Sequence, residues 1–263
     1  MLLAKANESK NTCTITIPIP LPFSGEVGVE ITGNTLTMPG DSGDVKVLVK
    51  RKDNLTTIIL PMLAAEQLRI YEGTLVKVTV EGGKVIIERP DRIPLEEYLY
   101  LMALPYHASL VNYMKKDLKV KLPEIQVLQW PDVLLSGKKI HNDIYADPSG
   151  NIAFKENPPL PTTFLTALYI VKGFDYEDAR ALARITHIAH REGVVRGSIE
   201  KLPEIKEEDL ENALAEVGSN DISDLLVDIG PVNRPWELVK SLVMEYPSTE
   251  VAKLVLTLLK LLD

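Results

Sequence analysis

Two short segments of strict alternation, separated by one helix-length gap, restrict the folds open to this chain more than any other feature. Val45, Val47 and Val49 alternate with Lys46, Leu48 and Lys50, which is the period of a strand with one buried face. Thr56 to Leu60 is a second β-branched, apolar run that Pro61 ends. Met62, Ala65 and Leu68 then show helical spacing over about two turns. After a turn at Glu72-Gly73, Val76, Val78 and Val80 alternate again, and Gly82-Gly83 turns the chain back into Val85–Ile87. The sequence therefore predicts strand, strand, short helix and hairpin over residues 46–90.

That order, with Lys50-Arg51-Lys52, the Asp53-x-Leu55 step, the run into Pro61, the L-x-I-x-E-G of Leu68 to Gly73 and the V-x-V-x-x-G-G-K-V-I-I hairpin, resembles the AbrB/MazE-type swapped-hairpin domain. The resemblance covers about 45 residues. It implies a barrel made by two interleaved copies, hence a homodimer or higher oligomer, and DNA contact by basic residues on the strands and short helix. The arginines usual in the family fall near Thr57, Ala65 and Glu66 here, so Lys50, Arg51 and Lys52 carry the remaining charge. Arg69 stands where the family usually ends its helix with Gly, which predicts a differently built turn.

Upstream, Thr12 to Ile17 alternates Thr with apolar residues. Pro18, Pro20 and Pro22 follow, so this strand is expected to end early or to lie at a sheet edge. Glu26 to Thr37 reads as a hairpin turning at Gly33-Asn34, with Val27, Val29 and Ile31 matching Val76, Val78 and Val80. Residues 12–43 thus read either as a degenerate copy of the swapped-hairpin element, closing a barrel within one chain, or as an unrelated hairpin. The expected class is α+β. A β-rich, barrel-like region spans 1–92, a mixed helix and hairpin region spans 93–158, and an α-helical domain spans 159–263. Leu95 to Leu118 is read as helical with a break at Pro105, Asp147 to Asn151 as a turn between two short strands, and Asn157 to Pro161 as the connection between domains.

The carboxy-terminal part alternates helix stops and starts. Thr162 is expected to cap a helix ended by Gly173, and Asp175 a second ended by Gly193. Further helices are expected over about 205–217, 221–229, 235–246 and 248–262. On the second helix Arg180, Arg184, His187 and Arg191 fall within about 60° of one another. A helix-turn-helix with guanidiniums on its second helix fits this pattern. So does an ordinary helical hairpin whose arginines meet acidic residues downstream.

Net charge is −8, and Ser198 to Asp228 holds ten acids against Lys201 and Lys206, so the remainder of the chain is neutral. That acidic segment reads first as a solvated helix face, with an interaction surface for a basic protein partner or a DNA mimic as the other readings. The single Cys13 excludes an internal disulfide framework, and no apolar run is long enough for a membrane span, which together predict a cytoplasmic protein. His187 and His190 stand three apart but lack further ligands for zinc, and no phosphate loop, nucleophile elbow or dinucleotide fingerprint is present. The sequence therefore predicts no cofactor, no metal and no catalytic group. The expected function is a non-enzymatic DNA-binding regulator, either a transcription factor or an antitoxin-like protein. The other reading is an assembly component that uses the barrel only to oligomerise.

Overall fold

The structure, a computed structural model, describes residues 1–40, 45–116, 120–136 and 139–192. The acidic segment and every helix expected beyond Glu192 lie outside the described residues. The chain forms two units. The first comprises Met1–Leu104 and Ile125–Pro158, and the second comprises Pro105–Glu124 and Pro159–Asp263.

The first unit contains a closed eight-stranded antiparallel barrel. Its strands are β1 (Leu2–Ser9), β2 (Thr12–Ile17), β3 (Gly25–Thr32), β4 (Thr35–Met38), β5 (Val45–Lys52), β6 (Leu55–Pro61), β7 (Leu75–Glu81) and β8 (Lys84–Glu88). A six-residue helix, α1 (Met62–Gln67), joins β6 to β7. The order around the barrel is β1-β2-β6-β5-β3-β4-β8-β7, and β7 closes on β1. β2 is therefore an interior strand of the closed sheet. Of the two expectations the early end is met, since β2 stops at Ile17 before Pro18, and the edge position is corrected: the prolines follow the strand and so remove no ladder hydrogen bond.

The strand pairings repeat about an internal two-fold axis. Ser9 faces Thr12 as Lys52 faces Leu55, an offset of 43 residues. Ile31 faces Leu36 as Val80 faces Val85, an offset of 49 residues. The difference of six is the length of α1, which the first half lacks. The ladders between halves obey the same rule. Ala4 faces Val76 as Val47 faces Val27, while Ile15 faces its own counterpart Ile58, and Thr37 faces its own counterpart Ile86. One chain thus supplies both hairpin pairs of the barrel.

Alternation fills the interior. Ala4, Ala6, Cys13, Ile15, Ile17, Val27, Val29, Leu36 and Met38 from the first half meet Val47, Val49, Ile58, Leu60, Val76, Val78, Val85 and Ile87 from the second. The two equivalent β2–β3 and β6–β7 connections close opposite ends. At one end α1 and its exit insert Ala65, Leu68 and Ile70. At the other, the proline-rich connection inserts Leu21. The buried Thr56 hydroxyl holds that connection, donating to the Ile19 carbonyl at 2.7 Å and accepting from the Leu21 N–H at 3.3 Å. The backbone groups that prolines keep out of a ladder are satisfied this way.

Against the barrel lies a four-stranded sheet in the order β11 (Ile144–Ala146), β12 (Ile152–Phe154), β10 (Gln126–Leu128) and β9 (Arg92–Pro94), with β10 and β12 parallel. Helices α2 (Leu95–Leu101) and α4 (Trp130–Ser136) accompany it. Asp147 shapes the β11–β12 turn by accepting the N–H groups of Ser149 and Asn151. Buried Arg89 pins this layer to the barrel. It donates to the Arg69 carbonyl at 2.8 Å, Asp91 at 2.8 Å and Asp132 at 2.6 Å. Arg69 itself adopts φ 55°, so the turn after α1 keeps a left-handed residue although no glycine stands there.

The second unit packs α3 (Pro105–Lys116), α5 (Pro161–Lys172) and α6 (Tyr176–Glu192). The helix break at Pro105 is present, with Ala103 at φ 53° just before it. Gly173 ends α5 at φ 109°. The cap of α5 is Leu160, with Pro161 as its first residue, and Thr162 lies inside the helix. This corrects the expected Thr162 cap: proline has no N–H to satisfy and its fixed φ starts the helix two residues earlier.

Candidate nucleic-acid interface

The tip of the β5–β6 hairpin carries Lys50, Arg51 and Lys52, all exposed. Val47 and Val49 point inward, so Lys50 points outward. Arg51 lies past the last inward position and is free of the core. The turn uses Asp53 at φ 54°, a position that Asp tolerates better than most residues. Among the described residues none of the three cations forms an ion pair, whereas Lys46 on the same strand meets Glu26 at 3.5 Å.

Threonine hydroxyls flank these charges. Lys50 faces Thr57 on β6, and Thr57 faces Thr16 on β2. Their hydroxyls lie 3.3 Å apart, and Thr16 is exposed. The row crosses three adjacent strands, about 10 Å. The Lys50 ammonium and the two hydroxyls of this row, with Arg51 and Lys52 beyond it at the tip, can hold phosphate oxygens, and they carry no pattern matched to base edges.

The two-fold counterpart of this tip differs. Asn7, Glu8 and Ser9 occupy the places of Lys50, Arg51 and Lys52. There the Glu72 carboxylate accepts the Glu8 N–H. Buried Cys13 lies beside this end, and burial, with the charges of Glu8 and Glu72, pushes its thiol up to about 11. The positions where the resembled family carries arginines are also settled in space. Ala65 is buried in the barrel core, Thr57 is half-buried beside Lys50, and Glu66 is exposed.

Arg180 and Arg184 lie on α6 in the helical unit and are half-buried. His187, on the same stripe, shares a hydrogen bond with Tyr106 of α3 at 3.1 Å. The stripe therefore runs beside the α3–α6 contact. Arg191 lies in the last turn of α6, and its side chain is outside the described residues. A connection of Gly173, Phe174 and Asp175 joins α5 to α6, and Tyr169 bonds Thr186 across the pair at 2.7 Å.

Sequence reasoning did not find the polar seam of the helical unit. Three of the four histidines gather there. His190 shares a hydrogen bond with Ser109 at 2.8 Å, and the His107 Nε2–H donates to the Pro159 carbonyl at 3.0 Å. Burial holds His107 below the ordinary 6.5; the Pro159 hydrogen bond opposes this, and the charge of His187 adds to it. His107 is 52 residues from Pro159 in sequence, and no spacing signal links them. Among the described residues no three metal-ligating side chains converge, and no helix is long and apolar enough to cross a membrane. No family model, curated protein or solved structure matches the chain.

Proposed function

We propose that this chain is a non-enzymatic, cytoplasmic DNA-binding regulator built on an AbrB-like barrel whose two hairpin halves belong to one polypeptide, followed by an α-helical domain over residues 159–263. The observation that carries this reading is the β5–β6 tip, where Lys50, Arg51 and Lys52 are exposed, unpaired among the described residues and flanked by Thr16 and Thr57. Uncompensated cations beside hydroxyl donors suit a phosphate backbone. Contact is electrostatic and weakly selective in sequence. Arg180, Arg184 and Arg191 form a second surface, which acts separately from the barrel tip.

The test is anisotropy of a labelled duplex titrated with the full chain across salt. Three phosphate contacts give a log–log slope of about −2.7, an affinity loss of about 40-fold between 50 and 200 mM salt. Changing Lys50, Arg51 and Lys52 together to Ala lowers the slope and weakens all sequences alike. Changing Arg180, Arg184 and Arg191 tests the helical surface. Binding that ignores both sets, or no binding at low salt, refutes the reading.

A second reading is favoured by the burial of Ala65 and the half-burial of Arg180 and Arg184, which leave few cations for DNA. In that reading the barrel is a scaffold for assembly, and the acidic segment meets a basic protein partner. It predicts no salt-dependent DNA binding and a stable homo- or hetero-oligomer in light scattering.

A further inference from the structure

The barrel has two equivalent hairpin tips and only one is basic. The β2–β6 ladder runs from Thr12 facing Pro61 to Ile17 facing Thr56. The β1–β2 tip lies beyond the first pair and the β5–β6 tip beyond the second. Five steps along a strand separate the two pairs, about 17 Å. A symmetric barrel would offer two identical patches related by the axis through Ile15 and Ile58. Here the axis exchanges Lys50 with Asn7, Arg51 with Glu8, Lys52 with Ser9 and, in the turns, Asp53 with Lys10, which leaves a net positive β5–β6 tip and no net charge on the β1–β2 tip. Glu72 adds a second carboxylate next to Glu8. The backbone scaffold is duplicated and the charge is not.

We infer that the barrel grips a single run of phosphates, one nucleic-acid duplex per barrel, through the β5–β6 tip, with the β1–β2 tip turned from a second contact into an electrostatically repelling one. This rests on the DNA reading above. Fusion of two halves in one polypeptide is what permits it. In a barrel of two identical chains, any substitution at one tip appears at both. In one chain each tip varies alone, so a two-fold binder becomes one-sided without a change of fold. The consequence is a target without dyad symmetry, contacted on one face.

The experiment is sedimentation of the full chain with a labelled 12-base-pair duplex at low salt, combined with the salt slope. The wild-type barrel is expected to saturate at one duplex. Asn7→Lys, Glu8→Arg and Ser9→Lys together rebuild the missing patch. That variant is expected to take a second duplex, or to steepen the slope by up to about 2.7. Glu8→Gln with Glu72→Gln is a milder pair that keeps the Glu8 backbone N–H, and it is expected to raise affinity several-fold at low salt. Two duplexes per chain, when Arg180, Arg184 and Arg191 are changed to Ala and the barrel is otherwise wild type, overturn the inference. So does a rebuilt tip that binds like the wild type while the Lys50, Arg51 and Lys52 to Ala variant loses binding; in that case the DNA reading stands and the one-sidedness does not come from charge. If all variants bind alike, the barrel tip is not the DNA contact and this inference fails, and the Arg180, Arg184 and Arg191 to Ala variant then decides whether the DNA reading survives through the helical surface.

Discussion

Gln129→Leu is the substitution that best tests how the barrel is held to its neighbouring sheet. β7 and β8 pair as far as Lys77 facing Glu88, and two residues further in that register Leu75 stands against Pro90. Pro90 has no N–H, so the ladder cannot continue. The Gln129 side chain replaces the missing peptide. Its Oε1 accepts the Leu75 N–H at 2.9 Å, and its Nε2 donates to Leu75 O at 2.9 Å and Pro90 O at 2.7 Å. Gln129 is 2 % exposed, so water does not stand ready to take over. Leucine keeps the volume and removes all three bonds. One orphaned N–H costs about 1–3 kcal/mol, and the two carbonyls, with spare lone pairs, add less. The expected loss is about 3–4 kcal/mol. Urea unfolding of the full chain measures it, and amide exchange at Leu75 localises it. A loss under about 1 kcal/mol with unchanged exchange at Leu75 refutes the argument, because it means those backbone groups find other partners without cost.

Two further outcomes follow from local geometry. Arg69 sits at φ 55°, where a Cβ costs about 1 kcal/mol, while its side chain is 60 % exposed and its ion pairs are screened. Arg69→Gly is therefore expected to be more stable than Arg69→Ala by about 1 kcal/mol in urea unfolding, and equal stabilities would sink the strain argument. His107 holds its charged form at a disadvantage, so the folded state binds fewer protons than the unfolded state below the ordinary 6.5. Stability of the helical unit is expected to fall as pH drops from about 6.5 toward the depressed native value. Amide exchange of α3 and α5 at several pH values checks this, and an unchanged pH profile in His107→Gln would show that another group is responsible.

The second half of the barrel was legible because its chemistry is local. Alternating valines and paired glycines specify strands and turns whatever surrounds them. β1 was not legible. LLAKANES contains Ala, Asn and Glu, all poor strand formers, and it is a strand because its backbone closes the barrel between β2 and β7. The basic tip could be read from sequence, since a run of cations next to a turn has nowhere to be buried. The half-burial of Arg180 and Arg184 could not, because a helical stripe does not say which neighbour it meets. Gln129 and Arg89 were invisible for the same reason. Each is a lone polar residue whose main partners lie tens of residues away. The two-fold relation was visible only in part, as three matching β-branched residues in two hairpins, since the halves share a register and little sequence.

That relation makes a demand on the isolated second half. Residues 44–92 keep the β5–β6 and β7–β8 hairpins but lose β6–β2, β5–β3, β7–β1 and β8–β4. Four open edges and one exposed apolar face cannot stand alone in water. Two copies restore every ladder, with Ile58 facing its own copy and Val45 facing Val78 of the other. The interior then changes by substitution of equivalents. Val47 and Val49 replace Ala4 and Ala6, which adds four methyl groups, Val85 replaces Leu36, which removes one, and Thr56 replaces the buried Cys13. The excess is about three methyl groups, an overpacking of roughly 1–3 kcal/mol. The fragment is therefore expected to fold as a dimer of modest stability and to be unfolded as a monomer. Light scattering with circular dichroism across concentration checks this. Ile58→Lys should abolish folding of the fragment, because it sets two charges against each other on the axis inside the core. A folded monomer of residues 44–92 would refute the two-fold argument.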